Sequence, residues 1–365
     1  MSFALIISIL SLVVLVILHE LGHFLFAKKF GIKVEEFGIG LPWSPRLFSK
    51  KVGDTTYSFY PLLLGAFVRL EGEEGASDSS TSFKSKPVWQ RFVVVAGGVG
   101  VFWLIAAIIF SILGATSGVP LPISDSIEAN IKEPRVQISA VAPDSPASEA
   151  GLLIEDTIRN METEDIRVFG IDKVGTVQEF VQENGGKEAT LTIERHGETL
   201  QVVLTPRADP PVGQGAMGVG LVRTGLVQYV WYEAPYQGVI LTAQLTSDIV
   251  KQFYSLIVKL VGPDEVGPGV QVAGPIGVLG ALKNAFTFGI PHFLAWIALL
   301  SIYLAIFNTI PIPALDGGQM LFLLIEGIRR KPLPEKAIQR AILVSMLILI
   351  GLLLWVSVID ITRLF

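Results

Sequence analysis

The feature that most constrains this chain is an apolar run from Ala4 to Phe26, which is long enough to cross a lipid bilayer as a helix. Three ionisable side chains lie inside it: His19, Glu20 and His23. Because helix positions four residues apart share a face, the two histidines can bind one metal ion together. Glu20 lies beside them, where a carboxylate can take a proton from a metal-bound water. Ionisable groups at membrane depth are costly, so this cluster predicts a functional site.

The composition agrees with a polytopic α-helical membrane protein. Of all residues, 51% are hydrophobic and 17% are charged, and the mean hydropathy is +0.57. Apolar segments long enough to span a membrane lie at about 4–27, 88–113, 292–326 and 340–359. The first has no basic region before it, and two lysines follow it where a small-residue cleavage site would be expected. We therefore predict about four transmembrane helices and no cleavable signal peptide.

The basic residues predict the orientation of these spans. The loop between the first two spans carries Lys28, Lys29, Lys33, Arg46, Lys50, Lys51, Arg69, Lys84, Lys86 and Arg91. The loop between the last two carries Arg329, Arg330, Lys331, Lys336 and Arg340. Under the positive-inside rule both loops face the cytoplasm, so both termini and the segment 114–291 are expected outside it. That segment has 12 basic against 21 acidic residues, so it offers no basic surface for nucleic acid.

The metal, if one is bound, must be held by histidine and carboxylate, because the chain has no cysteine. This ligand set suits zinc, and a catalytic zinc usually has three protein ligands and one open position for water. Only two further histidines exist. We expect neither to be a ligand, because His196 lies in a predicted hairpin turn and His292 lies at the outer edge of the third span.

Asp316 is the favoured third ligand. Two prolines and two glycines flank it within residues 308–318 and break the third span in mid-membrane. Such a break is tolerated where the backbone is buried or lines a cavity. The alternative role for Asp316 is to cap the helix that begins near Gly317. Asn308, on the same span, can donate its amide to a developing oxyanion or to an extended substrate, or can instead bond carbonyls freed by Pro311.

These residues together resemble the site-2 protease family of intramembrane zinc metalloproteases. The matching motifs are His-Glu-Leu-Gly-His at 19–23, Asn-x2-Pro-x-Pro-x-Leu-Asp-Gly-Gly at 308–318 and Ala-Gly-Pro-Ile-Gly at 273–277. The most similar branch is the bacterial, regulator-of-sigma-E-protease-like one, which cleaves anti-sigma factors and remnant signal peptides. The resemblance implies Zn²⁺ as cofactor, single-span membrane proteins as substrates, and the inner (plasma) membrane of a bacterium as location.

The second span of this chain differs from the pattern of that family. Many family members carry an Ala-Gly-Pro-x-x-Asn run there, whereas this chain has Ala-Gly-Gly-Val-Gly-Val at 96–101. A helix-packing or substrate role for this span therefore cannot be carried over from the family.

Residues 120–207 predict a small α+β domain inserted between the second and third spans. The pattern gives a strand at Val136–Val141, a helix at Val174–Glu183, and a hairpin of 189–195 with 199–205. The order, with Ser-Pro-Ala-x-x-Ala-Gly-Leu at 145–152, resembles a bacterial PDZ domain. Such domains bind an extended peptide or a C-terminus by strand addition. The role can instead be that of a filter that keeps bulky substrate domains away from the site, and the filter is the favoured hypothesis.

The segment 208–291 is expected to be a linker with one amphipathic helix. Between Val239 and Val261 the apolar residues recur at helical spacing with charged residues interspersed. This pattern is typical of a helix that lies on the outer membrane face. A linker helix packed on the inserted domain is the competing interpretation.

Residues 53–72, within the loop 28–87, resemble the family's membrane-dipping β-hairpin. A transmembrane helix hides its amides in internal hydrogen bonds, so a protease must first extend the substrate backbone. An edge strand beside the metal can receive that extended segment by β-addition. The predicted substrate-binding residues of this edge are Gly65, Ala66, Phe67 and Val68.

Three functions from different classes fit parts of this pattern. The first is an intramembrane zinc endopeptidase that uses Glu20 as its general base. The second is a metal-bearing but inactive scaffold that presents a PDZ domain. The third is a metal transporter, because histidine and aspartate in the membrane also mark ion pathways. The intact Glu20 argues against the scaffold, which has no use for a general base, and the His-Glu-x-x-His geometry together with the peptide-binding domain favours the protease.

Overall fold

The computed structural model describes residues 3–42, 45–63, 65–73, 79–126, 131–195, 197–211, 214–261 and 274–362. The helices are α1 (Phe3–Lys29), α2 (Val88–Ala115), α3 (Pro146–Glu149), α4 (Val174–Glu183), α5 (Ala234–Val261), α6 (Pro275–Thr287), α7 (Ile290–Thr309), α8 (Asp316–Arg329) and α9 (Glu335–Thr362). The strands are β1 (Val34–Ile39), β2 (Phe48–Val52), β3 (Thr55–Phe59), β4 (Ala66–Leu70), β5 (Val119–Pro122), β6 (Ile131–Val141), β7 (Thr157–Glu162), β8 (Arg167–Phe169), β9 (Ala189–Arg195), β10 (Glu198–Leu204) and β11 (Val219–Val227). His196 and Ala273 lie outside the described residues.

Among the described residues, four helices are long and apolar enough to cross a membrane: α1, α2, α7 and α9. Each is apolar around most of its circumference, which is expected where lipid rather than water covers the outer face. The four predicted spans are therefore confirmed as helices, with α1, α2 and α9 a few residues longer than predicted at one or both ends. The third predicted span, 292–326, is interrupted as expected, because α7 ends at Thr309 and α8 begins at Asp316.

The backbones of α1 and α2 approach each other closely at a crossing where both helices have glycine. A β-carbon on Gly22 of α1 would lie 2.5 Å from the carbonyl oxygen of Gly97 on α2. Small residues at such a crossing let two helix backbones approach, which favours van der Waals packing in a membrane. The second span thus packs directly on the first although it lacks the proline and the asparagine that many members of the resembled family carry there.

A four-stranded sheet follows α1, with the strand order β2-β3-β1-β4. The strands β2 and β3 form a hairpin, β1 is parallel to β3, and β4 is antiparallel to β1. The predicted hairpin over 53–72 was wrong, because β1 lies between β3 and β4. Pairing with β1 lets Leu70 and Val68 of β4 pack in the core formed with Ala27 of α1 and Val34 of β1. The prediction that β4 is an edge strand is confirmed.

A second sheet is formed by the part of the chain that follows α2 and precedes α5. Its strand order is β10-β9-β7-β6-β11-β5, and β8 pairs with β7. The predicted strand at 136–141, the helix α4 and the hairpin of β9 with β10 are confirmed. The predicted boundary at 207 was wrong. The strand β11, assigned to the linker, pairs along most of β6, and Met217 is buried in the core of this domain.

The helix α5 packs lengthwise on α2. Near its start, the Ser111 hydroxyl donates to the carbonyl of Pro235 at 3.4 Å, and further along Trp103 Nε1 donates to Thr246 Oγ1 at 3.2 Å. Because the contacts move towards the start of α2 as α5 proceeds, the two helices are antiparallel. The prediction that 239–261 lies on the membrane surface was wrong. The part of the apolar stripe formed by Leu241, Leu245, Ile249 and Phe253 packs against α2 and α7, and helical spacing alone does not identify what covers a stripe.

The helix α8 runs back along the first turns of α2. Leu323 is buried with Val94 and Val95 of α2, and Arg91 of α2 forms an ion pair with Glu326 near the end of α8. The two helices are therefore antiparallel, and the start of α8 lies towards the middle of α2. This arrangement brings Asp316 to the level of the histidines on α1.

Candidate metal centre

Three predicted ligand residues meet in the structure: His19, His23 and Asp316. The two histidine Nε2 atoms lie 3.3 Å apart. Asp316 Oδ2 lies 3.3 Å from His19 Nε2 and 3.4 Å from His23 Nε2. The three atoms form a nearly equilateral triangle whose side chains are only 10–16% exposed.

The triangle fits a tetrahedral metal ion. Zinc binds histidine nitrogen and carboxylate oxygen at about 2.0–2.1 Å, so two ligands of a tetrahedron lie about 3.3–3.4 Å apart. The observed edges match this value on all three sides. Asp316 Oδ2 is also buried without a hydrogen bond among the described residues, as is His19 Nδ1. A buried carboxylate oxygen that accepts no hydrogen bond is costly unless a cation binds it.

The histidines are oriented by α2, which supplies no ligand. His23 Nδ1 lies 3.0 Å from the carbonyl oxygen of Val94. Because a carbonyl only accepts, Nδ1 carries the proton and Nε2 presents its lone pair to the centre of the triangle. The ring of His19 stacks on Phe102, with 4.7 Å between ring centroids and 11° between planes. These two contacts fix both imidazole rings.

Gly98 explains why α2 can approach His23 so closely. A β-carbon on Gly98 would overlap the His23 imidazole and would lie 2.7 Å from its Cδ2 atom. Any side chain at 98 must therefore displace the ring or the helix. Neither Val94, Phe102 nor Gly98 was predicted as part of the site. The pair of small residues at 97–98 in an apolar span was the available signal, since such pairs favour close helix contact.

Asp316 is held in place by a sharp reversal of the backbone between α7 and α8. A β-carbon on Gly317 would collide with the carbonyl oxygens of Thr309 and Ile310, and one on Gly318 would collide with that of Ile312. Only glycine allows the chain to fold back on itself in this way. The cap position of α8 is Leu315, and no side chain caps it. The arrangement therefore favours the ligand role of Asp316 over the capping role.

Glu20 lies beside the triangle and next to the four-stranded sheet. Its carboxylate is close enough to His23, His19 and Asp316 for an electrostatic effect, and it also lies near the backbone of Val68 on β4. The general-base candidate is thus near both the three ligand residues and the edge strand. The carbonyl oxygen of Gly65 accepts a hydrogen bond from Gly40 N at 2.8 Å. This bond connects the residue before β4 to the residue after β1. Ala66, Phe67 and Val68 pair with β1 in register.

The other polar candidates take no part in the triangle. Asn308 Nδ2 donates to the carbonyl of Leu304 at 2.9 Å, one turn back in α7. This bond differs from the predicted one to carbonyls freed by Pro311, and the substrate role of Asn308 stays a prediction. His292 lies at the start of α7 with its ring against Phe288, so it is not a ligand in this arrangement.

The comparison with known proteins identifies the family. Residues 7–352 match peptidase family M50. The chain belongs to peptidase family M50. This family comprises the site-2 proteases, so the resemblance inferred from the motifs is confirmed at family level.

Individual relatives agree over nearly their whole length. A Clostridium perfringens protein whose name describes a zinc metalloprotease is 33% identical over 359 residues, covering 97% of both chains. The regulator of sigma-W protease RasP of Bacillus subtilis is 28% identical over 437 residues, covering 96% of both chains. The zinc metalloprotease RasP of Oceanobacillus iheyensis is 26% identical over 422 residues, covering 90% of this chain and 92% of the relative. This M50 protein is a membrane-bound zinc metalloprotease with Zn²⁺ as its cofactor.

Proposed function

We propose that this M50 protein is an intramembrane endopeptidase that hydrolyses peptide bonds in or near the transmembrane segments of single-span membrane proteins. The observation that carries the proposal is the position of the His19–His23–Asp316 triangle. It lies among helices that are themselves apolar enough to cross a membrane, so a substrate bond that reaches it must come from the bilayer or its immediate edge.

In the proposed mechanism His19, His23 and Asp316 would hold the zinc ion, and Glu20 is the general base. When bound, zinc would supply Lewis-acid activation of a water molecule and of the scissile carbonyl. Glu20 takes the proton from the water and donates it to the leaving nitrogen. Its place near the ligands and near the backbone of Val68 suits both transfers.

The substrate backbone is proposed to bind as an additional strand on β4. Its edge position leaves one side of β4 without a strand partner among the described residues. An unwound substrate segment added to Gly65, Ala66, Phe67 and Val68 would pass the Glu20 carboxylate, which interacts with this strand. Binding there would also replace the internal hydrogen bonds that the substrate helix loses.

The sheet domain between α2 and α5 is proposed to be a single PDZ domain on the extracytoplasmic side. The long strand β6, the helix α4 and the hairpin of β9 with β10 support this interpretation. We favour a filter that excludes substrates with bulky outer domains, and capture of a peptide or C-terminus is the alternative. The loops carrying Lys28 and Arg329 then face the cytoplasm, and both termini lie outside it.

The proposed substrates are anti-sigma factors and remnant signal peptides in the inner (plasma) membrane of a bacterium. The name of the Bacillus subtilis relative, a regulator of sigma-W protease, supports the first class. A filter on the extracytoplasmic side would admit such single-span proteins when little folded mass remains outside the membrane.

The test compares cleavage of a membrane-anchored signal peptide by the wild type and by Glu20→Gln in the same membranes. We expect the variant to bind zinc as the wild type does and to cleave at least about 100-fold more slowly, because general bases contribute about 10²–10⁴-fold. Removal of zinc by a chelator should abolish cleavage by the wild type, and added zinc should restore it. Equal cleavage by both proteins would refute the role of Glu20 and would favour a scaffold.

A further inference from the structure

The helix that carries Asp316 is held at its opposite end by a buried ion pair. Arg91 of α2 donates through both terminal guanidinium nitrogens to the two carboxylate oxygens of Glu326 on α8, at 3.1 and 2.6 Å. The third guanidinium nitrogen, Nε, donates to the carbonyl of Lys86 at 3.1 Å. Arg91 is only 8% exposed. All three nitrogens are thus engaged, and the guanidinium plane has one orientation.

This contact constrains α8 in a way that its apolar contacts do not. Leu323 packs on Val94 and Val95 of α2, and such packing is non-directional, so it tolerates rotation or sliding of one helix on the other. A bidentate arginine–carboxylate pair has a fixed planar geometry and therefore sets both the rotation and the axial position of the helix.

The position of α8 matters because Asp316 is its first residue. Glu326 lies ten residues further on, about 15 Å along the axis and about 80° around it. A slide of one residue would move Asp316 by about 1.5 Å. Functional metal sites tolerate about 0.2 Å in ligand distance. An axial error far smaller than one residue would therefore disrupt the triangle.

The same face of α2 that carries Arg91 also contacts His23. Arg91, Val94 and Gly98 recur at positions i, i+3 and i+7, so they share one helix face. Arg91 contacts α8, whereas Val94 and Gly98 contact His23 on α1. This face therefore lies between the two elements that carry the ligand residues.

We propose that Arg91 is a positioning residue, which through its ion pair with Glu326 sets the position of α8 and so places Asp316 at the metal centre. The inference rests on the proposed role of Asp316 as a zinc ligand. In this arrangement α2 aligns the metal centre from both sides without contributing a ligand to it.

The experiment measures the zinc dissociation constant of the purified full-length protein by competition with a chelating dye, together with the thermal unfolding of the metal-free form. The variants are Arg91→Met, Arg91→Lys, Glu326→Gln, and the charge swap Arg91→Glu with Glu326→Arg. The matched control is Lys84→Met, which breaks the exposed ion pair of Lys84 with Glu335 on α9 and leaves the Arg91–Glu326 pair in place. The Asp316→Asn variant tests the metal centre itself.

We expect Arg91→Met and Glu326→Gln to weaken zinc binding by about 10–100-fold, the range found for residues that orient metal ligands. Arg91→Lys should weaken it as well, because lysine keeps the charge but not the bidentate geometry. The charge swap should recover most of the loss, and Lys84→Met should change the constant by less than about twofold. Glu326→Gln is nearly isosteric, so it decides the question if Arg91→Met does not fold.

Zinc binding within about twofold of the wild type in folded Arg91→Met or Glu326→Gln would overturn the proposal. So would a charge swap that restores the unfolding temperature but not zinc binding, because the pair would then be only structural. If Asp316→Asn binds zinc as well as the wild type, the assigned metal centre is wrong and the role of Arg91 falls with it. A loss in Asp316→Asn without a loss in the Arg91 and Glu326 variants overturns the role of Arg91 alone.

Discussion

Replacement of Gly98 by alanine tests how closely the metal centre depends on the contact between α1 and α2. The added β-carbon would lie 2.7 Å from His23 Cδ2, with other ring atoms closer still. Carbon atoms pack at about 3.5–4.0 Å, so the ring or α2 must move by about 1 Å. If α2 moves, the 3.0 Å bond from His23 Nδ1 to Val94 lengthens beyond hydrogen-bonding distance. If the ring moves, its Nε2 leaves the 3.3 Å triangle.

Either displacement exceeds the roughly 0.2 Å that a metal site tolerates. We therefore expect Gly98→Ala to weaken zinc binding by about 10–100-fold, equivalent to about 1.4–2.7 kcal/mol. Gly100→Ala is the matched control, because it lies in the same helix and a β-carbon there would meet no described residue within 4 Å beyond the adjacent backbone of its own helix. Both substitutions gain the same helix propensity, at most about 1 kcal/mol, so the difference between them isolates the contact with His23.

The assay is zinc competition with a chelating dye, with thermal unfolding of the metal-free proteins as the measure of folding. The reasoning is refuted if Gly98→Ala binds zinc within about twofold of Gly100→Ala while both are folded. A loss of zinc binding equal in the two variants would also refute it, because that loss would not arise from His23.

Two further predictions concern the substrate path. Proline in place of Ala66, in the edge strand β4, should lower the cleavage rate at least about tenfold while the zinc content stays within about 20% of the wild type. The reason is that proline disturbs the edge strand without contacting a metal ligand. Equal losses of cleavage and of zinc content would indicate a folding defect. Removal of residues 119–227, with Gly118 joined to Gln228 by a short linker, should allow cleavage of substrates whose outer domain is intact. Val119 and Val227 are paired at the ends of their strands, so a short linker can join the residues beside them. If the shortened protein still rejects substrates with intact outer domains, the filter role is contradicted.

The local patterns in the sequence were sufficient for much of the site and of the helical framework. Helical spacing places His19 and His23 on one face whatever surrounds them, and a long apolar run identifies a span because lipid covers its whole surface. The prolines and glycines around Asp316 predicted a break in the third apolar span, because these residues do not favour a continuous helix. These features depend on neighbours in the chain, so the chain alone determines them.

Other features depend on which surfaces meet, and only the tertiary structure decided them. The stripe on α5 has the spacing of a membrane-surface helix, but its partners α2 and α7 are distant in sequence. Strand β4 follows β3 in the chain yet pairs with β1, because that pairing buries Leu70 and Val68 under α1. The contribution of α2 through Arg91, Val94 and Gly98 depends on contacts with α8 and α1 across more than 70 residues of chain. A single sequence determines periodicity and residue chemistry, whereas long-range packing decides which of the compatible partners each face buries.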